Sequence, residues 1–80
     1  MLTSAQIRAA RGLLDWSQKD LAEATKLSVQ TIKRMEGDRG PEASTEANVQ
    51  AVRRALERAG VIFLEANSNK EGGAGVRLKR

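Results

Sequence analysis

Three short segments near the start of the chain share one pattern of hydrophobic and polar positions. In each, a hydrophobic residue precedes a Ser or Thr, and a second hydrophobic residue follows four positions after that hydroxyl. The hydroxyl can cap the first turn of a helix while the two hydrophobic side chains pack together across the cap. The three caps are Thr3, Ser17 and Ser28, flanked by Leu2 and Ile7, by Trp16 and Leu21, and by Leu27 and Ile32.

These caps predict where three helices begin, and other residues predict where they end. The first helix should run from Thr3 to about Leu14 and the second from Ser17 to about Thr25. The third should run from Ser28 to about Glu36, just before a glycine. Gln and Asp stand three positions after the first two caps, which completes a capping box in each case.

The rest of the chain predicts one more helix and a β-hairpin. Residues 37–44, GDRGPEAS, contain two Gly and the only Pro, so they are expected to form a loop. A fourth helix should follow a cap at Ser44 or Thr45 and end at Gly60. Residues 61–65 and 76–80 are expected to form strands around a polar, Gly-rich loop at 66–75. The predicted fold class is therefore mainly α, with four helices in residues 1–60 and a two-stranded β extension in residues 61–80.

Composition narrows the possible functions. The chain has 80 residues, no Cys and no His, which excludes disulfides and His/Cys metal sites and removes the commonest catalytic base and nucleophile. No enzyme activity, catalytic residue, metal or cofactor is therefore expected. The net charge of +4 and the pI near 10.1 favour a nucleic-acid partner. No stretch approaches the roughly 18 apolar residues of a membrane span, so a cytoplasmic protein without membrane contact is expected.

The second and third predicted helices are joined by only about two residues. Each is about two turns long, and helices this short do not persist in water without tertiary support. Packing explains Ile32 and Met35 on the third helix. It does not explain Gln30, Lys33 and Arg34, which lie on the other side of that helix.

The pattern Gln18-x-x-Leu21-Ala22, then Leu27-Ser28, Ile32 and Glu36-Gly37, resembles the Cro-like phage repressor family, also called the xenobiotic-response-element type of helix-turn-helix. The resemblance covers roughly residues 5–60 and implies a four-helix, lambda-repressor-like DNA-binding domain. It implies that the third helix enters the major groove of double-stranded DNA. The positions that match the family's base-reading sites are Val29, Gln30, Lys33 and Arg34.

The resemblance also implies contacts to the DNA backbone and one structural ion pair. Gln18 and Lys19 match positions that hold phosphate at the start of the second helix. The complete set of residues expected at phosphates is Gln18, Lys19, Ser28, Thr31 and Arg39. Arg11 and Glu36 match a pair that ties the first helix to the end of the third.

Lys26 departs from the family pattern, which usually has Gly in the turn between the second and third helices. If this position needs a positive φ, a lysine costs about 1–2 kcal/mol. Either the turn differs slightly, or stability is given up for a charge near the phosphates.

A module this small buries too little DNA for tight specific binding, and members of the class bind as two-fold dimers with recognition helices about 34 Å apart. We therefore expect a homodimeric repressor on a palindromic operator, with no small-molecule ligand. The fourth helix and the apolar residues Val61, Ile62, Phe63 and Leu64 are the expected dimer contact. The alternative is a protein-interaction module, an antitoxin or antiactivator, that grips a partner protein through this apolar segment.

Overall fold

The computed structural model describes residues 2–65 and 73–79. The chain forms helices α1 (Ser4–Leu14), α2 (Gln18–Thr25) and α3 (Val29–Met35), a short 3-10 helix (Gly40–Ala43), helix α4 (Glu46–Arg58) and strands β1 (Val61–Leu64) and β2 (Gly75–Leu78). Four α-helices followed by a two-stranded antiparallel sheet confirm the predicted fold class. Most of the predicted loop at 66–75 and the last residue of the predicted strand at 76–80 lie outside the described residues.

The predicted caps begin the helices. Thr3 Oγ1 accepts from the amide of Gln6 at 3.1 Å, and Gln6 Oε1 accepts from the amide of Thr3 at 2.9 Å. Ser17 and Asp20 form the same reciprocal pair at 3.0 and 2.9 Å. At α4 the cap is Thr45, one of the two predicted alternatives. Each cap satisfies backbone amides that the first turn of a helix leaves without a partner.

The ends of α1 and α2 are built alike. Asp15 and Lys26 adopt the left-handed conformation, with φ of 58° and 61°. The amides of Trp16 and Leu27 then donate to carbonyls five residues earlier, at 2.9 and 3.1 Å, as in a Schellman motif. Trp16 and Leu27 thus close one helix and flank the cap of the next, which explains how three helices follow one another with such short turns.

Lys26 therefore has the positive φ that its family position calls for, and the turn keeps its left-handed residue. We expect Lys26→Gly to stabilise the fold by about 1 kcal/mol, because glycine avoids the left-handed penalty although it loses more backbone entropy. The melting temperature should rise by about 4–8 °C, measured by circular dichroism. Lys26→Ala is the control, since it removes the charge but keeps Cβ and should give no such rise.

One hydrophobic core unites the helices and the first strand. Ile7, Leu21, Ile32, Met35, Val52 and Leu56 are fully buried, and Val61 and Phe63 join the same cluster. The core therefore sits between the helix-turn-helix and the sheet, and it holds α3 by one face only. Within residues 2–65 and 73–79, none of the helices combines the length and hydrophobicity needed to cross a bilayer.

Besides the shared core, side chains of α1 and α4 attach the sheet to the helices. β1 and β2 pair antiparallel, from Val61 opposite Leu78 to Leu64 opposite Gly75. Gln6, itself buried, donates through Nε2 to the carbonyl oxygens of Leu64 at 3.2 Å and Gly75 at 3.0 Å. On the other side, the Arg53 guanidinium lies 5.3 Å from the centre of the Phe63 ring, a cation–π distance.

The segment predicted as an unstructured loop at 37–44 contains one turn of 3-10 helix, so that prediction was incomplete. Gly40 has φ of 70°, which sets the chain direction before Pro41. The proline ring fixes φ near the helical value at the second position of this 3-10 helix, and its side chain is buried. Burial of an apolar ring, a tertiary effect, overrides the local loop signal.

Candidate nucleic-acid interface

Helix α3 is amphipathic despite its seven residues. Ile32 and Met35 are fully buried, whereas Gln30, Lys33 and Arg34 are exposed. Within the described part of the chain, the exposed three make no side-chain hydrogen bond and no ion pair. The Gln30 amide and the Lys33 and Arg34 cations are therefore exposed on α3 and have no partner among the described residues.

Two shallow, open depressions lie along this side of the molecule and share Arg34. The first is lined by Gln30, Lys33 and Arg34. The second is lined by Arg34 and by residues of the segment that follows α3: Gly37, Asp38, Arg39 and Ala43. Predicted base-reading and phosphate residues are thus brought onto one continuous surface, here called the α3 face (the lining residues of both depressions).

The start of α3 holds three more of the predicted contact residues. Ser28 Oγ accepts from the amide of Thr31 at 3.1 Å, and the two hydroxyl oxygens lie 2.9 Å apart. Because one hydroxyl donates to the other, only one hydroxyl proton remains for a phosphate. Val29 is half-buried and packs on the core, so only part of its side chain is open to a base.

At the start of α2, the two predicted phosphate residues differ. Lys19 is exposed and has no ion pair within the described residues. Gln18 is half-buried, and its Nε2 donates to Glu36 Oε1 at 3.0 Å. Gln18 therefore links α2 to the end of α3 through one N–H of its side-chain amide. An amide carbonyl cannot donate to a phosphate, so a phosphate contact by this side chain requires its second N–H.

Glu36 is the buried junction of the three helices. Arg11 donates to it twice, from Nε to Oε2 at 2.7 Å and from Nη2 to Oε1 at 2.9 Å. The Glu36 side chain is only 3% exposed, against 20% for Arg11. The hydrogen bond to Glu36 raises the pKa of Arg11 above its ordinary value, with the nearby negative charge acting in the same direction and burial against it. Bidentate geometry of this kind fixes direction as well as distance.

The α1 helix supplies further contacts to this junction that the sequence did not indicate. Arg8 donates through Nη1 to the backbone carbonyl of Glu36, which caps the C-terminal end of α3 with a cation. Arg11 also donates through Nη1 to the carbonyl of Trp16 at 3.0 Å. The orientation of α3 is therefore set by α1 and α2 together, at its C-terminal end.

The predicted dimer segment divides between two environments. Val61 and Phe63 are buried in the protein's own core, which leaves the other face of β1 as the part of the predicted dimer segment that is open to a partner chain. Ile62 and Leu64 alternate with them and are half-buried. Strand alternation is the physical reason, since successive side chains point to opposite faces of a sheet.

The described residues show no grouping of three or more acidic, His or Cys side chains that could hold a metal ion. Instead, the two short helices with their left-handed turn, and a second helix that exposes amide and cationic side chains, define the class as a helix-turn-helix domain.

Comparison with known proteins agrees with this class. A helix-turn-helix family model matches residues 7–58, and the chain belongs to this family, the Cro/C1-type helix-turn-helix of the xenobiotic-response-element kind. The match confirms the resemblance noted in the sequence, and the family is one of DNA-binding regulators. Neither the curated proteins nor the solved structures contained a significant match to the chain.

Proposed function

We propose that the protein is a sequence-specific transcriptional repressor that inserts α3 into the major groove of an operator. One observation carries this proposal: Gln30, Lys33 and Arg34 are exposed and have no partner within the described residues, while the opposite side of the same helix is buried. Selection of bound sequences from random duplexes tests it, because enrichment of one motif supports base reading and the lack of any enrichment contradicts it.

The side chains of the α3 face match the chemistry of base edges. An amide such as Gln30 can donate and accept at once with adenine, and Arg34 or Lys33 can donate to N7 and O6 of guanine. The accessible part of Val29 can contact a thymine methyl group. Each good bidentate pair gives about 1–3 kcal/mol of discrimination against a wrong base.

Phosphate contacts are assigned to the residues around α3. Lys19 and Arg39 are exposed cations, and the hydroxyls of Ser28 and Thr31 lie at the start of the helix. Gln18 is proposed as an indirect contributor that orients α3 through Glu36 and offers its remaining N–H to the backbone. These contacts set affinity and register without reading sequence.

The repressor is further proposed to act as a cytoplasmic homodimer on a palindromic operator. Ile62 and Leu64 lie on the side of β1 that faces away from the core, and both strands belong to a sheet with only two described members. Unpaired strand edges and half-covered aliphatic side chains are surfaces that a second copy can cover. Two copies would double the DNA surface buried and match the two-fold symmetry of a palindrome.

Ile62→Lys is expected to convert the dimer to a monomer, since it places a charge on an apolar contact, and to weaken operator binding at least tenfold. Analytical ultracentrifugation at micromolar concentration checks the first effect. The matched control is Leu13→Lys, which places the same charge on an exposed aliphatic side chain of α1 and should leave the dimer intact. A wild-type protein that sediments as a monomer at tens of micromolar would contradict the dimer.

A further inference from the structure

Asp38 is an exposed carboxylate beside the cations of the α3 face. It follows α3 in a tight turn that is closed by the amide of Gly40 donating to the carbonyl of Gly37 at 3.0 Å. Asp38 and Arg39 occupy the two central positions of this turn and are both exposed. Asp38 also lines the second depression of the α3 face, beside Arg34 and Arg39.

The Asp38 carboxylate has no direct ion-pair partner among the described residues. Among the residues that line the two depressions, Asp38 is the only carboxylate, and the cations there are Lys33, Arg34 and Arg39. No ion pair within 4 Å and no side-chain hydrogen bond joins Asp38 to another described residue. Glu36, two residues earlier, shows the contrast, because its carboxylate is buried and bound twice by arginine.

We propose that Asp38 limits the affinity of the protein for all duplexes by placing a negative charge against the DNA backbone. The proposal rests on the proposed function, since it assumes that the α3 face contacts DNA. Two unit charges about 4 Å apart in water interact by an energy that corresponds to roughly a fivefold change in affinity. Repulsion from phosphates does not depend on sequence, so Asp38 raises the protein concentration at which any site is filled.

A carboxylate near bases can instead accept a hydrogen bond from the N4 amine of cytosine. The turn argues against it here, because Asp38 lies three residues past Met35, the last residue of α3. Asp38 therefore lies outside the helix that is proposed to enter the groove. The two possibilities predict opposite changes in affinity when the charge is removed. Loss of repulsion tightens binding, and loss of a cytosine contact weakens it.

The test is D38N in the full chain, with binding measured by fluorescence anisotropy over a range of salt concentrations. Two probes are used, the operator recovered by selection from random duplexes and an unrelated duplex of equal length. We expect roughly fivefold tighter binding to both probes. The slope of log affinity against log salt should steepen, because the repulsion that D38N removes is strongest at low salt and is screened as the salt concentration rises.

The control is E57Q, which removes one carboxylate from α4, where Glu57 pairs with Arg53 away from the α3 face. It should change affinity less than twofold, and an equal gain in E57Q would overturn the proposal by showing a mere effect of net charge. Unchanged affinity in D38N, or weaker binding confined to operators with a particular cytosine, would also overturn it. D38S repeats the test if D38N melts earlier than wild type. A wild-type protein that binds neither probe would instead refute the proposed function.

Discussion

Arg11→Ala is expected to destabilise the fold by about 3–5 kcal/mol, the largest effect of any single change considered for this protein. The Glu36 side chain is 3% exposed, and its carboxylate accepts three side-chain hydrogen bonds, two from Arg11 and one from Gln18. The substitution leaves only the one from Gln18. A buried charge that loses its partner keeps its desolvation cost without the compensating attraction. The free energy of unfolding of native proteins is only about 5–15 kcal/mol, so the variant should be near the limit of stability. Urea denaturation followed by circular dichroism measures the loss.

The double variant Arg11→Met/Glu36→Leu separates the ion pair from simple packing. Replacing both charges with apolar groups removes the unpaired carboxylate, so much of the lost stability should return. The double variant should therefore be more stable than Arg11→Ala alone. Arg11→Met and Glu36→Leu are also measured singly. If their effects add in the double variant, the carboxylate and the guanidinium do not act as a unit, and the account of them as a coupled ion pair is incorrect.

Arg34→Ala and Gln30→Ala are expected to change which DNA is bound. Each should cost about 1–3 kcal/mol at one base pair per half-site, because a bidentate contact to a base edge is lost. Base pairs elsewhere in the operator should keep their preferences. Quantitative binding to a set of single-base operator variants measures the effect position by position.

Lys19→Ala is the matched comparison, since it also removes one exposed polar side chain but from the start of α2. It should weaken binding to all sequences by a similar factor, and it should reduce the salt dependence of the affinity by about one phosphate contact. If Gln30→Ala or Arg34→Ala behaves in this uniform way, those residues contact the backbone and the base-reading assignment is wrong.

Local signals in the sequence were sufficient to predict the helix boundaries. Thr3 and Ser17 cap helices through residues only three positions away, so a single sequence contains all the information needed. Such short-range hydrogen bonds depend little on the rest of the fold. The sequence left the conformation of Lys26 open, between a changed turn and a left-handed lysine, and in the structure the lysine is left-handed with φ of 61°.

Contacts between distant parts of the chain could not be predicted in the same way. The sequence predicts Gln6 only as part of a capping box. Its Nε2 also donates to the carbonyls of Leu64 and Gly75, which lie 58 and 69 positions further along the chain. Gln18 was expected at phosphate, yet its hydrogen bond to Glu36 depends on how α2 packs against α3. Likewise, the apolar run at 61–64 predicts a strand that is covered on two sides, but it does not show which alternate residues enter the core.

The most direct test of the central claim, that the α3 face reads bases, is selection of wild-type binding sites from random duplexes followed by footprinting of the enriched sequence. The account predicts one enriched motif with two-fold symmetry, whose half-site centres lie about one helical turn apart and which is protected at base edges in the major groove. Retention of DNA without any enriched sequence, or protection confined to the backbone, would contradict it.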